Sequence, residues 1–600
     1  MLNKELKDRM LDRINAQDYE AARESLKEYW NKGFEMDELA AILAGSIYHY
    51  FNNRREEWNA ICQGLTDNCE NAELYVMLGN YYLEENRMQA AICYENALHY
   101  AQEEQDKKSI KRLLDGMDRE YGVKPPKTAI IILSYHLLED TKKCIESIRR
   151  TVPAFARQII VVDNASGGQS VKWLRAQKDI LLRENKVNEG FPKGCNQGIR
   201  MAEEDADIFL LNNDTILPPN ALFWLKMGLY QQERTGTAGS VSNYVANLQQ
   251  AAGDFSTVDK IMEFAVKNNV PMQYPYEEKL FLIGFALLIK RSVLNEVGLL
   301  DEIFSPGNSE DVDYGLRVME AGYRNILCKN SFILHLGSRS FGKMGGGFAD
   351  LLRKNQEKLN HKWNMDLQYY MFPRLELTGM IKENREKSMH VLDIGCGMGA
   401  IMAKIKGDYP NAKTYGIELQ SRAAKLAANI GEVVCADVEQ LDFPYPDAFF
   451  DYCIMGDVLE HLREPQNVLM RLRRHMKKDG KIIVSMPNMK HYSVILPLLK
   501  FDRFPYADSG ILDRTHLKMY TNHEIQSLIM RSGYKIRSMC YTMVGKPDEK
   551  DERLIDLLTS CMEEPDKNTF LAYQYIVTAD VAVDASPCGD AAADKNRNIK

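Results

Sequence analysis

The apolar run Ile208-Phe209-Leu210-Leu211 stops abruptly at Asn212-Asn213-Asp214. A buried strand that ends in a carboxylate presents it at the strand's C-terminal edge, where open α/β sheets hold their ligands. Asp214 at such an edge can ligate a divalent metal, since hard cations take oxygen ligands and bridge phosphates. The plain alternative is a polar turn, because Asn and Asp are turn formers. Gln158-Ile159-Ile160-Val161-Val162 ends in the same way at Asp163. Its carboxylate can accept a hydrogen bond from a nucleotide base or ribose, with an Asx turn as the alternative. Between the two lies Asn188-Glu189-Gly190-Phe191-Pro192-Lys193-Gly194-Cys195-Asn196-Gln197-Gly198. Glycines in a loop that enters a helix let the backbone approach a phosphate-bearing ligand.

A second constellation begins near His390. Val391-Leu392-Asp393-Ile394-Gly395-Cys396-Gly397-Met398-Gly399-Ala400 reads as a strand, a glycine turn and a helix start. The turn satisfies Gly-x-Gly-x-x-Ala, so a dinucleotide site is one reading. Two features favour S-adenosylmethionine instead. Asp393 interrupts a strand that is normally all apolar before a dinucleotide turn. Glu418 follows Gly399 by 19 residues, where a carboxylate can hold both ribose hydroxyls. Asp437, after Val433-Val434-Cys435-Ala436, is offered to the adenine amine.

These residues need strands to carry them. Thr128-Ala129-Ile130-Ile131-Ile132-Leu133 reads as a buried strand, with a helix after it over about 138–150. Strand, helix, strand, with each strand almost wholly apolar, predicts a parallel sheet covered on both faces. Residues 1–123 read as helices, and Pro is absent until Pro125. Gly45-x-x-Tyr48 recurs as Gly79-x-x-Tyr82, 34 residues on, and the match then fades, with Ala60 set against Tyr94. An earlier, weaker copy covers about 1–35. Lys124-Pro125-Pro126-Lys127 is a linker. Gly342 and Gly345-Gly346-Gly347 suggest a mobile segment, with an exposed turn as the alternative. Tyr573 to Val583 reads as a last strand, and 585–600 as a disordered tail.

Composition narrows the setting. Net charge is −8, so the chain as a whole does not call for nucleic acid or an anionic membrane. Twelve cysteines are scattered without metal-ligand spacing, which fits a reducing compartment. The charged N-terminus is not a signal peptide, and no apolar run is long enough to cross a bilayer. A cytoplasmic location is expected.

Three resemblances follow. The period and the small/aromatic pattern of residues 1–123 resemble the tetratricopeptide repeat, which implies either a partner-binding surface or a cap over the next domain. Residues about 128–340 resemble a family 2 glycosyltransferase of the GT-A fold, in the rhamnosyltransferase-like branch. The matching pieces are Ser134-Tyr135, Val161 to Ser166, the Asn188 to Gly198 loop, Leu211 to Asp214, Gly284 to Arg291, Gly298 to Phe304, Ser309 to Arg317 and His335. That resemblance implies Asp163 at the nucleotide and Asp214 at a Mn2+ or Mg2+ ion that bridges the donor's diphosphate. It implies Asp311 as the base for the acceptor hydroxyl, with Glu310 as runner-up. It makes His335 a further metal ligand, with a core histidine as the alternative, and places Asn188, Gly190 and Asn196 in the donor loop. Two departures stand out: Asn212 in the metal motif where many relatives carry aspartate, and Pro192-Lys193 where small residues are usual, Lys193 being able to reach phosphate.

Residues about 390–545 resemble class I methyltransferases, through the glycine turn, Glu418, Asp437, Phe450 to Leu462 and Gly480 to Asn488. The resemblance implies S-adenosylmethionine held by Asp393, Gly395, Gly397, Gly399, Glu418 and Asp437. His461 and His516 are candidate bases for a hydroxyl acceptor, or positioning residues.

The expected organisation is an all-α repeat over 1–123, an α/β GT-A domain with its extension and linker over 124–385, and an α/β Rossmann-like domain over 386–584. The expected function is inverting sugar transfer from a nucleotide-sugar donor to a glycan or lipid-linked saccharide, joined to methylation of the same or a related glycan. The repeats offer a site for a protein partner. The alternative from another class is a scaffold in which only one α/β domain turns over and the other binds or regulates.

Overall fold

The computed structural model describes residues 2–337 and 347–582. Ser338, Gly342, Gly345, Gly346 and the tail from Val583 lie outside the described residues, and with them most of the expected glycine segment and the expected disorder. The chain divides into two compact units, Met1–Met365 and Asp366–Lys600. No helix among the described residues is long and apolar enough to cross a membrane.

The first unit opens with seven helices, Leu2–Asn15, Tyr19–Asn31, Glu38–Tyr50, Arg54–Asp67, Ala72–Tyr82, Arg87–Tyr100 and Glu104–Tyr121. Short polar side chains start them: Asp18, Asp37, Asn53, Asn71 and Asn86 each accept a hydrogen bond from a first-turn N–H. Asp37 and Asn71 are 34 residues apart, so the repeat period is carried by caps as well as by Gly45 and Gly79. The fading of the repeat has a steric cause. A Cβ on Gly79 would stand 2.3 Å from Tyr94 Cε1, whereas one on Gly45 would stand 2.4 Å from Met77 Cε and 3.9 Å from Ala60 Cβ. The space over each glycine is filled, by Tyr94 in one copy and by Met77 of the helix Ala72–Tyr82 in the other. Gly79→Leu is therefore expected to cost about 1–3 kcal/mol through overpacking. Thermal unfolding followed by circular dichroism would show a lowered first midpoint; an unchanged one would mean that Tyr94 swings aside at no cost.

The sheet of this unit is built from β1 (Thr128–Ser134), β2 (Arg157–Asp163), β3 (Ile180–Glu184), β4 (Asp207–Asn212), β6 (Thr235–Val241), β7 (Tyr276–Lys279), β8 (Ala286–Ile289) and β9 (Arg324–Phe332), in the order β3-β2-β1-β4-β8-β6-β9-β7. β3, β2, β1 and β4 run parallel, and β8 is antiparallel to β4. Ser134 of β1 pairs with Asp163, and Leu133 with Asn212. The C-terminal ends of β2 and β4 thus flank that of β1 on one sheet edge. A separate two-stranded ribbon, β5 (Thr215–Ile216) with β10 (Leu334–His335), sets His335 opposite Thr215.

The helical repeats cover the buried helix Ala221–Leu229 of this same unit. Phe223, Trp224 and Met227 share a core with Tyr75, Leu78 and Tyr94. Gln89 donates to the Met227 carbonyl at 2.8 Å, and the buried Lys226 pairs with Glu95 at 2.5 Å.

The second unit holds β11 (Met389–Ile394), β12 (Ala412–Glu418), β13 (Glu432–Cys435), β14 (Phe450–Gly456), β15 (Met476–Pro487), β16 (Tyr534–Thr542) and β17 (Gln574–Val581), ordered β13-β12-β11-β14-β15-β17-β16. The first five are parallel, and β17 is antiparallel to both β15 and β16. The division at Met365/Asp366 falls ahead of the expected boundary at residue 385. Leu377 and Ile381 are buried against Met389, Val391 and Ile405, so residues 366–385 pack as part of the second unit.

Candidate active sites

At the edge beside β4, Asp214 Oδ1 and His335 Nε2 stand 3.2 Å apart, with both side chains 8 % exposed. His335 Nδ1 lies 2.9 Å from the Tyr244 carbonyl oxygen. A carbonyl only accepts, so Nδ1 carries the proton and the neutral ring turns the Nε2 lone pair toward the carboxylate. Nε2 has no aligned hydrogen bond despite its closeness to Asp214. Two electron-rich atoms facing each other need a cation between them. A second proton on the ring is one solution: burial alone would lower the His335 pKa, but Asp214 outweighs it and raises the value. A divalent metal is the other, and the imidazole–carboxylate donor set suits one. Asn213 donates to Thr141 at 3.0 Å and is structural. Asn212 closes β4, and its main chain binds Phe285 and Thr215.

Asp163 is 1 % exposed; its Oδ2 accepts from the Ser166 N–H at 3.0 Å, while Oδ1 has no partner among the described residues. It borders a cavity of about 520 Å³ that also meets Gly167, Lys172, Arg175 and Asn185. The expected Asx turn and the expected ligand contact are therefore compatible, one oxygen for each.

The glycine loop is more structural than the sequence suggests. Gly190 has φ +83°, and a Cβ there would stand 2.8 Å from Pro306 Cα, so only glycine fits. Asn188 Oδ1 accepts from Asn164 Nδ2 and from the Gly190 N–H. Lys193 pairs with Glu189 at 2.6 Å. Asn196 departs most from expectation. It is 1 % exposed, donates to the Leu300 carbonyl and to Glu302, and accepts from the Leu300 N–H, so it ties the loop to residues 300–302.

Glu310 and Asp311 begin the helix Glu310–Glu320. Asp311 accepts from the Gly284 N–H at 3.1 Å and keeps part of its side chain at the surface. Glu310 is buried, and its Oε2 has no partner. Burial raises both carboxyl pKa values; Asp311's charge raises Glu310 further, so that it lies well above the usual range. Of the two, Asp311 is the more accessible. The helix Gly347–Trp363 fixes the turn before the pair. Buried Asn355 donates to the carbonyls of Phe304, Gly307 and Asn308, and Trp363 Nε1 donates to Asp313 at 3.1 Å.

In the second unit a cavity of about 660 Å³ is bordered by Gly395, Glu418, Asp437, Asp457 and His461. Glu418 Oε2 accepts from the Gly397 N–H and Oε1 from the Gln420 N–H, both at 2.8 Å. The glycine turn and the carboxylate thus hold each other in place. Gly395 has φ +75°, and a Cβ on it would meet Val458 at 2.7 Å. Gly397 faces Tyr370. Gly399 packs on Ala427 and Ile430 and starts the helix Ala400–Asp408, a packing role rather than a contact with the cavity. Asp393 is 1 % exposed and neither carboxylate oxygen has a partner among the described residues; burial, then Glu418, raises its pKa well above the usual range. A cavity edged by Glu418 and Asp437, with Asp393 buried behind it, fits a ligand that carries positive charge, as a sulfonium with an α-ammonium does.

Family models settle the domains. Residues 129–298 match Glycosyl transferase family 2, and residues 363–539 match Methyltransferase domain. The chain joins a family 2 glycosyltransferase domain to a methyltransferase domain. Its methyltransferase domain is 31% identical over 139 residues to trans-aconitate 2-methyltransferase of Deinococcus radiodurans, covering 22% of this chain and 52% of that one. It is 26% identical over 199 residues to ubiquinone biosynthesis O-methyltransferase of Rickettsia felis, covering 30% of this chain and 79% of that one. The chain spans 52% of the length of one other curated relative and 31–37% of four more. Among solved structures, GalNAc-T7 with UDP, GalNAc and Mn2+ aligns at a TM-score of 0.29 and 13% identity, over 35% of this chain and 44% of that one.

The methyltransferase domain also contains contacts that sequence reading passed over. Arg374, from the stretch expected to be a linker, pairs with Asp457 at 2.6 Å and donates to Gln574. Ser485 donates to Asp457 from the other side at 2.6 Å. The available signal was an arginine set between Phe372-Pro373 and Leu375, which composition alone did not separate from linker. His461 and His516 meet edge to face, 4.8 Å between ring centroids, beside Glu460. Burial, then His516, lowers the His461 pKa, while burial, then Asp457, raises that of Glu460 well above the usual range.

Proposed function

We propose that the chain transfers a sugar with inversion from a nucleotide-sugar donor to a saccharide acceptor, and that it methylates the same or a related glycan. The observation that carries the first activity is His335 Nε2 facing Asp214 at 3.2 Å on the β4 edge, both side chains buried. A divalent metal held there would bridge the donor's diphosphate and stabilise the charge that grows as the glycosidic bond breaks. Asp163 would receive the nucleotide in its cavity. Asp311 would take the acceptor hydroxyl's proton, with Glu310 keeping its own proton and so favouring charge on its neighbour. Lys193 would have to leave Glu189 to reach phosphate.

In the methyltransferase domain S-adenosylmethionine would supply an already activated methyl group, and the protein's task is to align the acceptor and exclude water. Glu418 would hold the ribose hydroxyls, Gly395 would allow close approach of the cofactor, and Asp437 would take the adenine amine, all three bordering one cavity. Tethering the two sites gives the second a high effective concentration of the first one's product. For the repeats the packing favours a cap over a partner site, because their second copy is occupied by Phe223, Trp224 and Met227.

Nucleotide release by the purified protein, measured against a panel of nucleotide sugars with and without Mn2+, tests the transferase. Release from one donor, stimulated by Mn2+ and with that stimulation lost in Asp214→Ala, is expected. No release from any donor, together with no metal-dependent nucleotide binding by calorimetry, would leave the domain as a binding module and the scaffold reading in place.

A further inference from the structure

Glu460 is fully buried in the methyltransferase domain, and neither carboxylate oxygen has a hydrogen-bond partner among the described residues. A buried carboxylate without a partner is costly unless a proton or a cation accompanies it. One atom each from Glu460, His461 and His516 falls within 4.8 Å of the others, close enough for a shared ion. The two imidazoles are prepared for that role. His461 Nδ1 lies 3.2 Å from the Thr515 carbonyl oxygen and His516 Nδ1 lies 2.9 Å from that of Ile511. Carbonyl oxygens only accept, so both rings carry their proton on Nδ1 and leave the Nε2 lone pair for ligation. A backbone carbonyl on the remote nitrogen is the usual outer-shell device that orients a metal-bound histidine. Two backbone N–H groups, of Leu517 and Lys518, donate to the Glu460 carbonyl and hold the two chain segments together.

We propose that Glu460, His461 and His516 form a divalent-cation site at the methyl-acceptor side of this cavity. Two imidazoles and one carboxylate suit a first-row divalent ion and leave positions open for other oxygens. His461 belongs both to the cluster and to the lining of the cavity that also meets Gly395 and Glu418. The open positions would hold a hydroxyl oxygen of the acceptor, so the substrate class is a hydroxyl-bearing molecule such as a sugar. The two histidines then serve as ligands and not as the base. This inference rests on the methyltransferase reading of the domain.

The test uses the full chain carrying Asp214→Ala and His335→Ala, stripped of metal with a chelator. Mn2+ binding is counted by electron paramagnetic resonance, and S-adenosylmethionine binding is measured by calorimetry on the same samples. One Mn2+ per chain is expected, weakened at least about tenfold by Glu460→Gln and by His516→Ala. No Mn2+ bound at millimolar concentration, or binding unchanged by both substitutions, overturns the site. Retained S-adenosylmethionine binding shows that each variant is folded and keeps the methyltransferase reading separate. If no form of the chain binds that cofactor, the methyltransferase reading falls whatever the metal count.

Discussion

Asp311→Asn is expected to lower sugar transfer by about 10²- to 10⁴-fold, the range spanned by a positioned general base, with little change in donor binding. The amide keeps the shape, and its oxygen can still accept from the Gly284 N–H, although its NH2 group gives up the bond that the other carboxylate oxygen accepts from the Val312 N–H. What is lost is the ability to take a proton. Glu310→Gln tests the other half of the pair. If Glu310 already holds its proton, the neutral amide replaces a neutral acid and the loss is small. If Glu310 is the base, the two losses exchange places. The pH profile distinguishes them again. Burial raises both pKa values, so the acid limb of transfer should fall at a pH above the ordinary aspartate range, activity being lost as Asp311 protonates. In Glu310→Gln the two carboxyls no longer compete, and the profile reduces to one group. An acid limb at the ordinary value, with Asp311→Asn fully active, would remove Asp311 from the mechanism.

What the sequence made legible follows from what periodicity records. Each parallel strand is buried on two faces, so Ile130 to Leu133, Ile159 to Val162 and Ile208 to Leu211 announce themselves as apolar runs, and their polar ends place Asp163 and Asp214 on one edge. The same holds for β11 with Asp393 and β12 with Glu418. Long-range side-chain contacts leave no such trace. Nothing local indicates that Asn196 is spent on Leu300, or that Asn355 ties the turn ahead of Glu310. The packing of the residues just ahead of the expected boundary at 385 is hidden for a related reason. Residues 366–385 carry proline and charge, which read as linker, yet Leu377 and Ile381 are core residues and Arg374 is paired with Asp457. Glu460 shows the limit most clearly: within Asp457-Val458-Leu459-Glu460-His461 it looks like one more helix-face acid, and only the fold shows that it is buried without a partner.

Glu418→Ala should weaken S-adenosylmethionine binding by about 10²- to 10⁴-fold, because hydrogen bonds to a charged group are worth about 1.5–3 kcal/mol each and two ribose hydroxyls are proposed to share this carboxylate. Both of its oxygens already accept a backbone N–H, from Gly397 and from Gln420. Each retains a lone pair for a hydroxyl, so the residue that shapes the glycine turn is also free to hold the proposed ligand. Removing it leaves two N–H groups unpaired and takes away the field that favours a positively charged ligand. Glu418→Gln separates these contributions. Its oxygen can keep one N–H, but its NH2 group opposes the other, and its charge is gone. Calorimetry with S-adenosylmethionine and with S-adenosylhomocysteine, which lacks the sulfonium charge, reads the difference. If charge matters, Glu418→Gln loses more affinity for the first than for the second; if only the ribose contact matters, the losses are equal. Unchanged affinity for both in Glu418→Ala would mean that the ribose binds elsewhere in the cavity.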